Sequence, residues 1–231
     1  MRKLRLVMGG LTVLVAFLLV AVMACDGGEE TGTPTAAEVE DQLQRMVLQL
    51  EDLPSGVIRA EESFVTNEES AAASDDREGR LVMLEEWGRI LGYDVTYQAN
   101  PEVMEQVGLM LVNSTASLYD SEEGARASFA DAVQTANSTD WAALFGGAWG
   151  VEEEAMASPP PVDEMLWFRI TARAEADEGA GEQEFATDIA IFRQGPARGS
   201  LMVAWVMDKG SSDFMQQLAR AQAEHLKDAL P

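Results

Sequence analysis

The stretch EFATDIAIFRQGPARGSLMVAWVM, residues 184–207, decides the fold. Its two halves, Glu184–Gln194 and Arg198–Met207, are rich in Ile, Val, Phe and Trp, residues that suit a pleated, half-buried surface. Gly195 and Pro196 lie between the halves, a connection that turns the chain back antiparallel beside itself. Leu201, Val203, Trp205 and Met207 recur at every second position and so share one strand face, which core packing explains in full. Just upstream, Met165–Glu175 has the same character, and the three runs read as an antiparallel meander.

Working outward toward the N-terminus, Glu152–Pro161 is acidic and ends in consecutive prolines, a loop. Trp141–Gly150 mixes aromatics with glycine. Ser121 caps a helix with an acidic first turn that runs through Val133. Gly108–Tyr119 is a long strand and Tyr93–Tyr97 a short one. Leu81, Leu84, Trp87, Ile90 and Leu91 fall on one helical face, with Gly92 as the cap. Glu68–Arg80 is acidic and alanine-rich, helical in part, and Ile58 and Phe64 anchor a loop or short extended piece. Val39, Leu43, Met46, Val47 and Leu50 keep helical spacing up to the stop at Leu53-Pro54-Ser55-Gly56. At the other end, Gly210–Asp213 caps a last helix with Phe214, Leu218, Ala221 and Leu226 near one face. Strands in runs with helices between and after them predict α+β: one domain, an antiparallel sheet of about five strands covered by helices in two layers.

The first residues say where this domain resides. Arg2, Lys3 and Arg5 precede an uncharged run from Leu6 to Ala24, and the chain then turns acidic at Asp26, Glu29 and Glu30. This is the layout of an export signal. Val22-Met23-Ala24-Cys25 resembles the lipobox of bacterial lipoproteins, with the chain's single cysteine at the acylation position. That resemblance implies cleavage before Cys25 and a diacylglyceryl group on its thiol. The expected organisation is a lipoprotein signal peptide at 1–24, an acylated Cys25 and flexible tether over 25–37, and an extracytoplasmic α+β domain over 38–231. The alternative is an uncleaved transmembrane helix from the same apolar run, which is close to the length that spans a bilayer. Both place the domain outside, because the positive charges stay on the cytoplasmic side.

Two further stretches carry a resemblance. Leu48–Gly56, LQLEDLPSG, looks like the opening of many uncharacterised bacterial surface lipoproteins. Ser117–Ala125, SLYDSEEGA, is similar to the strand-to-helix junction of extracytoplasmic sensor-like domains and of lipoproteins with the PsbP/Mog1-like fold. Those families bind, sense or assemble and share no catalytic site, so no functional residue is carried over. The chain lacks the disulfides of the cysteine-stapled sensor domains.

Composition removes several function classes. Forty acidic residues against sixteen basic ones, net −24, exclude a nucleic-acid binder, which needs a basic stripe to release counterions. Direct adhesion to an anionic membrane surface is disfavoured for the same reason. His225 is the only histidine and reads as an ordinary helix-end residue, so neither a Ser-His-Asp triad nor a histidine zinc site is expected. Asp177, Glu178, Glu182 and Glu184 gather at one turn and Glu152–Glu154 at another, without the spacing of a calcium loop. Asn113-Ser114-Thr115 and Asn137-Ser138-Thr139 match the glycosylation acceptor pattern by chance. Trp141, Phe145 and Trp149, spaced by four with glycines between, are the candidate binding residues, a hydrophobic or sugar-binding lip. Core packing is the alternative for them. The expectation is therefore a non-enzymatic ligand- or partner-binding module without catalytic residues, metal or cofactor. Its partners would be the membrane, through the lipid, and an unknown small molecule or envelope protein. A carboxylate hydrolase, with or without calcium, and a purely structural envelope component are the alternatives.

Overall fold

The computed structural model describes residues 34–140, 149–153, 160–175, 182–206 and 212–231. The opening meander is its centre. Strands β5 (Glu164–Glu175), β6 (Glu182–Gln194) and β7 (Ala197–Val206) pair antiparallel, with Gln194↔Ala197 beside the turn and Phe185↔Val206 at the far end. Gly195, at φ 50°, supplies the left-handed residue this short turn requires.

Four more strands complete the sheet: β1 (Val57–Val65), β2 (Arg89–Ala99), β3 (Leu109–Tyr119) and β4 (Trp149–Glu153), in the order β1-β2-β3-β7-β6-β5-β4. Every neighbouring pair is antiparallel. The antiparallel α+β fold stands as expected, with seven strands where about five were counted. The two uncounted strands, β1 and β4, are the sheet's edges. In β1 every residue from Ile58 to Ser63 is exposed, so no alternation marks it. Arg59, Glu61 and Glu62 instead supply the charges that keep an open edge from pairing with another chain.

The helices are α1 (Ala36–Met46), α2 (Asn67–Ala72), α3 (Arg77–Glu86), α4 (Pro101–Val107), α5 (Glu122–Ser138) and α6 (Ser212–Ala229), with a 3₁₀ turn at Leu50–Asp52. Capping boxes start α1 at Thr35 and α2 at Thr66, each with a Glu at the third helical position. Helix α3 ends before Gly88, at φ 62°, so Ile90 and Leu91 belong to β2 and Gly92 caps nothing. Helix α4 has Asn100 as N-cap, Pro101 in its first turn and Gly108 as left-handed C-cap. On α6 the buried stripe is Met215, Leu218, Ala219, Gln222, Ala223, Leu226 and Ala229. Phe214 and Ala221, expected near the same face, are partly buried against the core.

Helices pack on both faces, which adds a partial third layer to the two expected. One face of the sheet meets α1 and α6. There Leu43, Met46, Leu218 and Leu226 close over Val95, Tyr97, Val112, Leu201, Val203 and Trp205. On the opposite face α5 lays Phe129, Ala132, Val133 and Ala136 onto Phe168, Ile170, Ile189 and Ile191. The reason is written in β6: Ala190 and Phe192 point one way, Ile189 and Ile191 the other, and both sets need cover.

Among the described residues, the core under α6 contains one fully buried acid. Asp188 accepts from Trp167 Nε1 at 2.9 Å and Trp205 Nε1 at 2.7 Å. It also accepts from Arg169 Nε at 2.9 Å and Nη2 at 2.8 Å. Four N–H donors satisfy both oxygens, as a buried carboxylate requires.

Candidate functional site

The face that carries α5 changes character across the sheet. Pairing aligns Ser63, Asp94, Thr115, Ser200, Ile191 and Leu166 across β1-β2-β3-β7-β6-β5. The neighbouring row reads Glu61, Thr96, Asn113, Met202, Ile189 and Phe168. The apolar end of both rows lies under α5. The polar end does not: Glu61 and Ser63 are exposed, and Asp94, Thr96, Asn113, Thr115 and Ser200 are half-buried. Their side chains are tied to one another. Asn113 Nδ2 donates to Asp94 Oδ1 at 2.8 Å and to Thr96 Oγ1 at 3.0 Å. Thr115 Oγ1 and Ser200 Oγ share a hydrogen bond of 2.7 Å. Burial raises the Asp94 carboxyl above its ordinary value; the Asn113 bond opposes this and the charge of Glu61 adds to it.

Helices α2, α3 and α5 line an open cleft of about 490 Å³. Ser70 and Ser74 line it from the α2 side, Arg80 and Met83 from α3, and Asp131 and Thr135 from α5. Arg80 Nη1 meets Asp131 Oδ2 at 2.7 Å across it, and its guanidinium stacks 5.1 Å from the Trp87 ring centre. The sequence makes this approach of α5 feasible at Gly124. A Cβ there would lie 1.8 Å from the carbonyl oxygen of Trp87.

One end of the sheet gathers arginines. The row Val65, Gly92, Ser117, Arg198, Arg193 brings three arginines close, since Arg89 Nε also reaches Ser117 Oγ at 3.3 Å. Arg89 is 8% exposed and donates further to Asn67 Oδ1 at 2.9 Å and the Val65 carbonyl at 3.1 Å. Arg198 Nη1 donates to Ser128 Oγ at 3.0 Å and the Ser128 carbonyl at 3.3 Å, while Tyr119 Oη and Ser128 Oγ lie 2.6 Å apart. Burial, set against a smaller opposing contribution from Tyr119, lowers the pKa of Arg89, and the charges of Arg198 and Arg80 lower it further.

The residues singled out in the sequence fall elsewhere. Cys25, Trp141 and Phe145 lie outside the described residues; Trp149 opens β4, opposite Ala172, and its side chain lies outside them too. The acidic groups at 152–154 and 177–184 are likewise outside the side-chain description. Among the described residues no three His, Cys, Asp or Glu side chains gather as metal ligands. His225 is more engaged than expected: its Nε2 lies 2.9 Å from Asp52 Oδ2, joining α6 to the 3₁₀ turn, with no nucleophile in that pair. The platform residues carried no sequence signal, because Asp94, Asn113 and Ser200 become neighbours only through strand register.

No family model matches the chain, and no curated protein matches it in sequence. Among solved structures it is similar to the extracellular domain of PknH from Mycobacterium tuberculosis, at a TM-score of 0.50 and 11% identity. The match covers 85% of this chain and 97% of that one. At this identity the likeness is one of fold. The chain shares its α+β fold with that domain, and among the described residues no helix is long and apolar enough to cross a membrane.

Proposed function

We propose that this protein is a membrane-anchored extracytoplasmic lipoprotein whose domain is a non-enzymatic binding module for a small polar molecule. One observation carries the binding half of this reading. A single sheet face is sealed by α5 over its apolar end and left half-open over its polar end, and α5 also borders a cleft of about 490 Å³, a size that suits a small ligand. The lipobox at Val22–Cys25 supports the anchor, and the extracellular position of the PknH domain supports the location.

Native mass spectrometry of the full chain, extracted from its host membrane in mild detergent, tests the reading. The expected spectrum shows a non-covalent adduct beyond the acyl mass, lost when Asn113 and Thr115 are both replaced by Leu. An unliganded protein that also fails to bind any member of a polar metabolite panel refutes it.

The carboxylate-hydrolase reading has one observation in its favour, the raised carboxyl of Asp94 beside Glu61. Turnover of a polar ester or glycoside, lost in Asp94→Asn, would establish that reading instead.

A further inference from the structure

The semi-buried arginines of this protein divide into two kinds. Arg80 holds Asp131, Arg169 holds Asp188, and Arg193 holds both Asp163 and Glu164. Arg89 and Arg198 hold no carboxylate among the described residues, and their hydrogen bonds go to neutral oxygens of Val65, Asn67, Ser117 and Ser128. The chain has forty acidic residues to spare for such a role. A buried charge without a counter-ion is costly, and two such cations flanking one serine are costlier still. The arrangement is also built for the purpose. Gly92 is bare beneath the Arg89 guanidinium, since a Cβ there would lie 2.1 Å from Nη2. Ser128, which holds Arg198, is fully buried and lies one helical turn from Asp131, which lines the cleft.

We propose that Arg89 and Arg198 form an anion subsite at the sheet end next to Ser128 of α5, one turn of that helix from the cleft, and that its ligand carries an oxyanion, a carboxylate or a phosphoryl group, which supplies the missing negative charge. Arg198 is half-buried and opens the subsite to solvent, while Arg89 backs it from the sheet. Guanidinium groups suit this task, because their forked donors match two oxygens of one anion. The Ser128 hydroxyl, itself bonded to Tyr119, positions Arg198. This inference rests on the domain being a binding module and names the chemistry of what it binds.

Titration calorimetry of the full chain in detergent, with inorganic phosphate and separately with acetate against chloride at matched ionic strength, is the test. Saturable binding of either probe is expected, phosphate preference marking a phosphoryl ligand and acetate preference a carboxylate. Arg198→Gln should weaken it at least about tenfold, the loss of one charge-assisted contact, with Arg198→Lys in between and far-ultraviolet circular dichroism unchanged. Thermal melting gives the second readout, since an anion bound to the folded state raises Tm in the wild type and not in Arg198→Gln. Absence of saturable binding with both probes, or equal binding by Arg198→Gln, overturns the inference. Where uncharged polar compounds still bind, the anion subsite alone fails; where nothing binds, the binding-module reading fails with it.

Discussion

Replacing Asp188 by alanine is the most severe single change this core offers. The carboxylate is fully buried and satisfies four donors at 2.7–2.9 Å. Its removal leaves the indole N–H groups of Trp167 and Trp205 facing a void, and these rings are only 3% and 2% exposed. Each unsatisfied buried donor costs about 1–3 kcal/mol. Arg169 loses its counter-ion as well, and breaking a buried pair from one side costs about 3–5 kcal/mol. Two features reduce this sum. The Arg169 side chain is 16% exposed and can turn toward water, and losses within one network do not add fully. A net loss of about 4–6 kcal/mol follows, a large part of the roughly 5–15 kcal/mol that holds a domain folded. Urea unfolding followed by tryptophan fluorescence and circular dichroism reads it directly. At roughly 2–3 kcal/mol per molar urea the midpoint should fall by about 2 M, with Asp188→Asn between variant and wild type. A midpoint for Asp188→Ala within about 0.3 M of wild type, where urea slopes leave under 1 kcal/mol to explain, refutes the view that this acid organises the core.

Three other outcomes are expected. Gly124→Ala sets two effects against each other: helix propensity favours alanine by about 1 kcal/mol, whereas the contact with the Trp87 carbonyl costs about 2 kcal/mol or more, so thermal melting should show net destabilisation, and a stabilised variant would show that α5 can move away. For Asp94, the folded pKa lies above the ordinary 3.8, so the folded state binds its proton more tightly and stability falls as pH rises through that window. Asp94→Asn should therefore be at least as stable as wild type at neutral pH, with the advantage vanishing as pH drops below the unfolded value; a variant that gains stability only in acid contradicts the assignment. Cys25→Ala should abolish metabolic labelling with fatty acid and leave an unprocessed precursor on a gel, and equal labelling of the variant would exclude acylation at this thiol.

The strand meander could be read directly because β5, β6 and β7 are central and their apolar residues are buried. Burial enforces composition, and composition is visible. The junction Ser121–Gly124 was legible for a related reason: its cap is a local bond, Gly124 N to Ser121 Oγ at 3.2 Å. Edge strand β1 was not, since residues exposed on both sides obey no alternation. Helix α4 carried legible signals at Asn100, Pro101 and Gly108, but it sits between two strands in a segment too short for apolar periodicity.

Local chemistry, then, determined what a stretch of a few residues can express: the caps, the Gly-Pro turn and the central strands. Register and packing decided the rest. Asp94, Asn113 and Ser200 are separated by long stretches of chain and share a platform only because β2, β3 and β7 align. Arg89 and Arg198 are 109 positions apart in the numbering and flank one serine for the same reason. Pair distances across a sheet depend on which strands become neighbours, and that choice is made by burial of the whole chain at once, which no window of sequence contains.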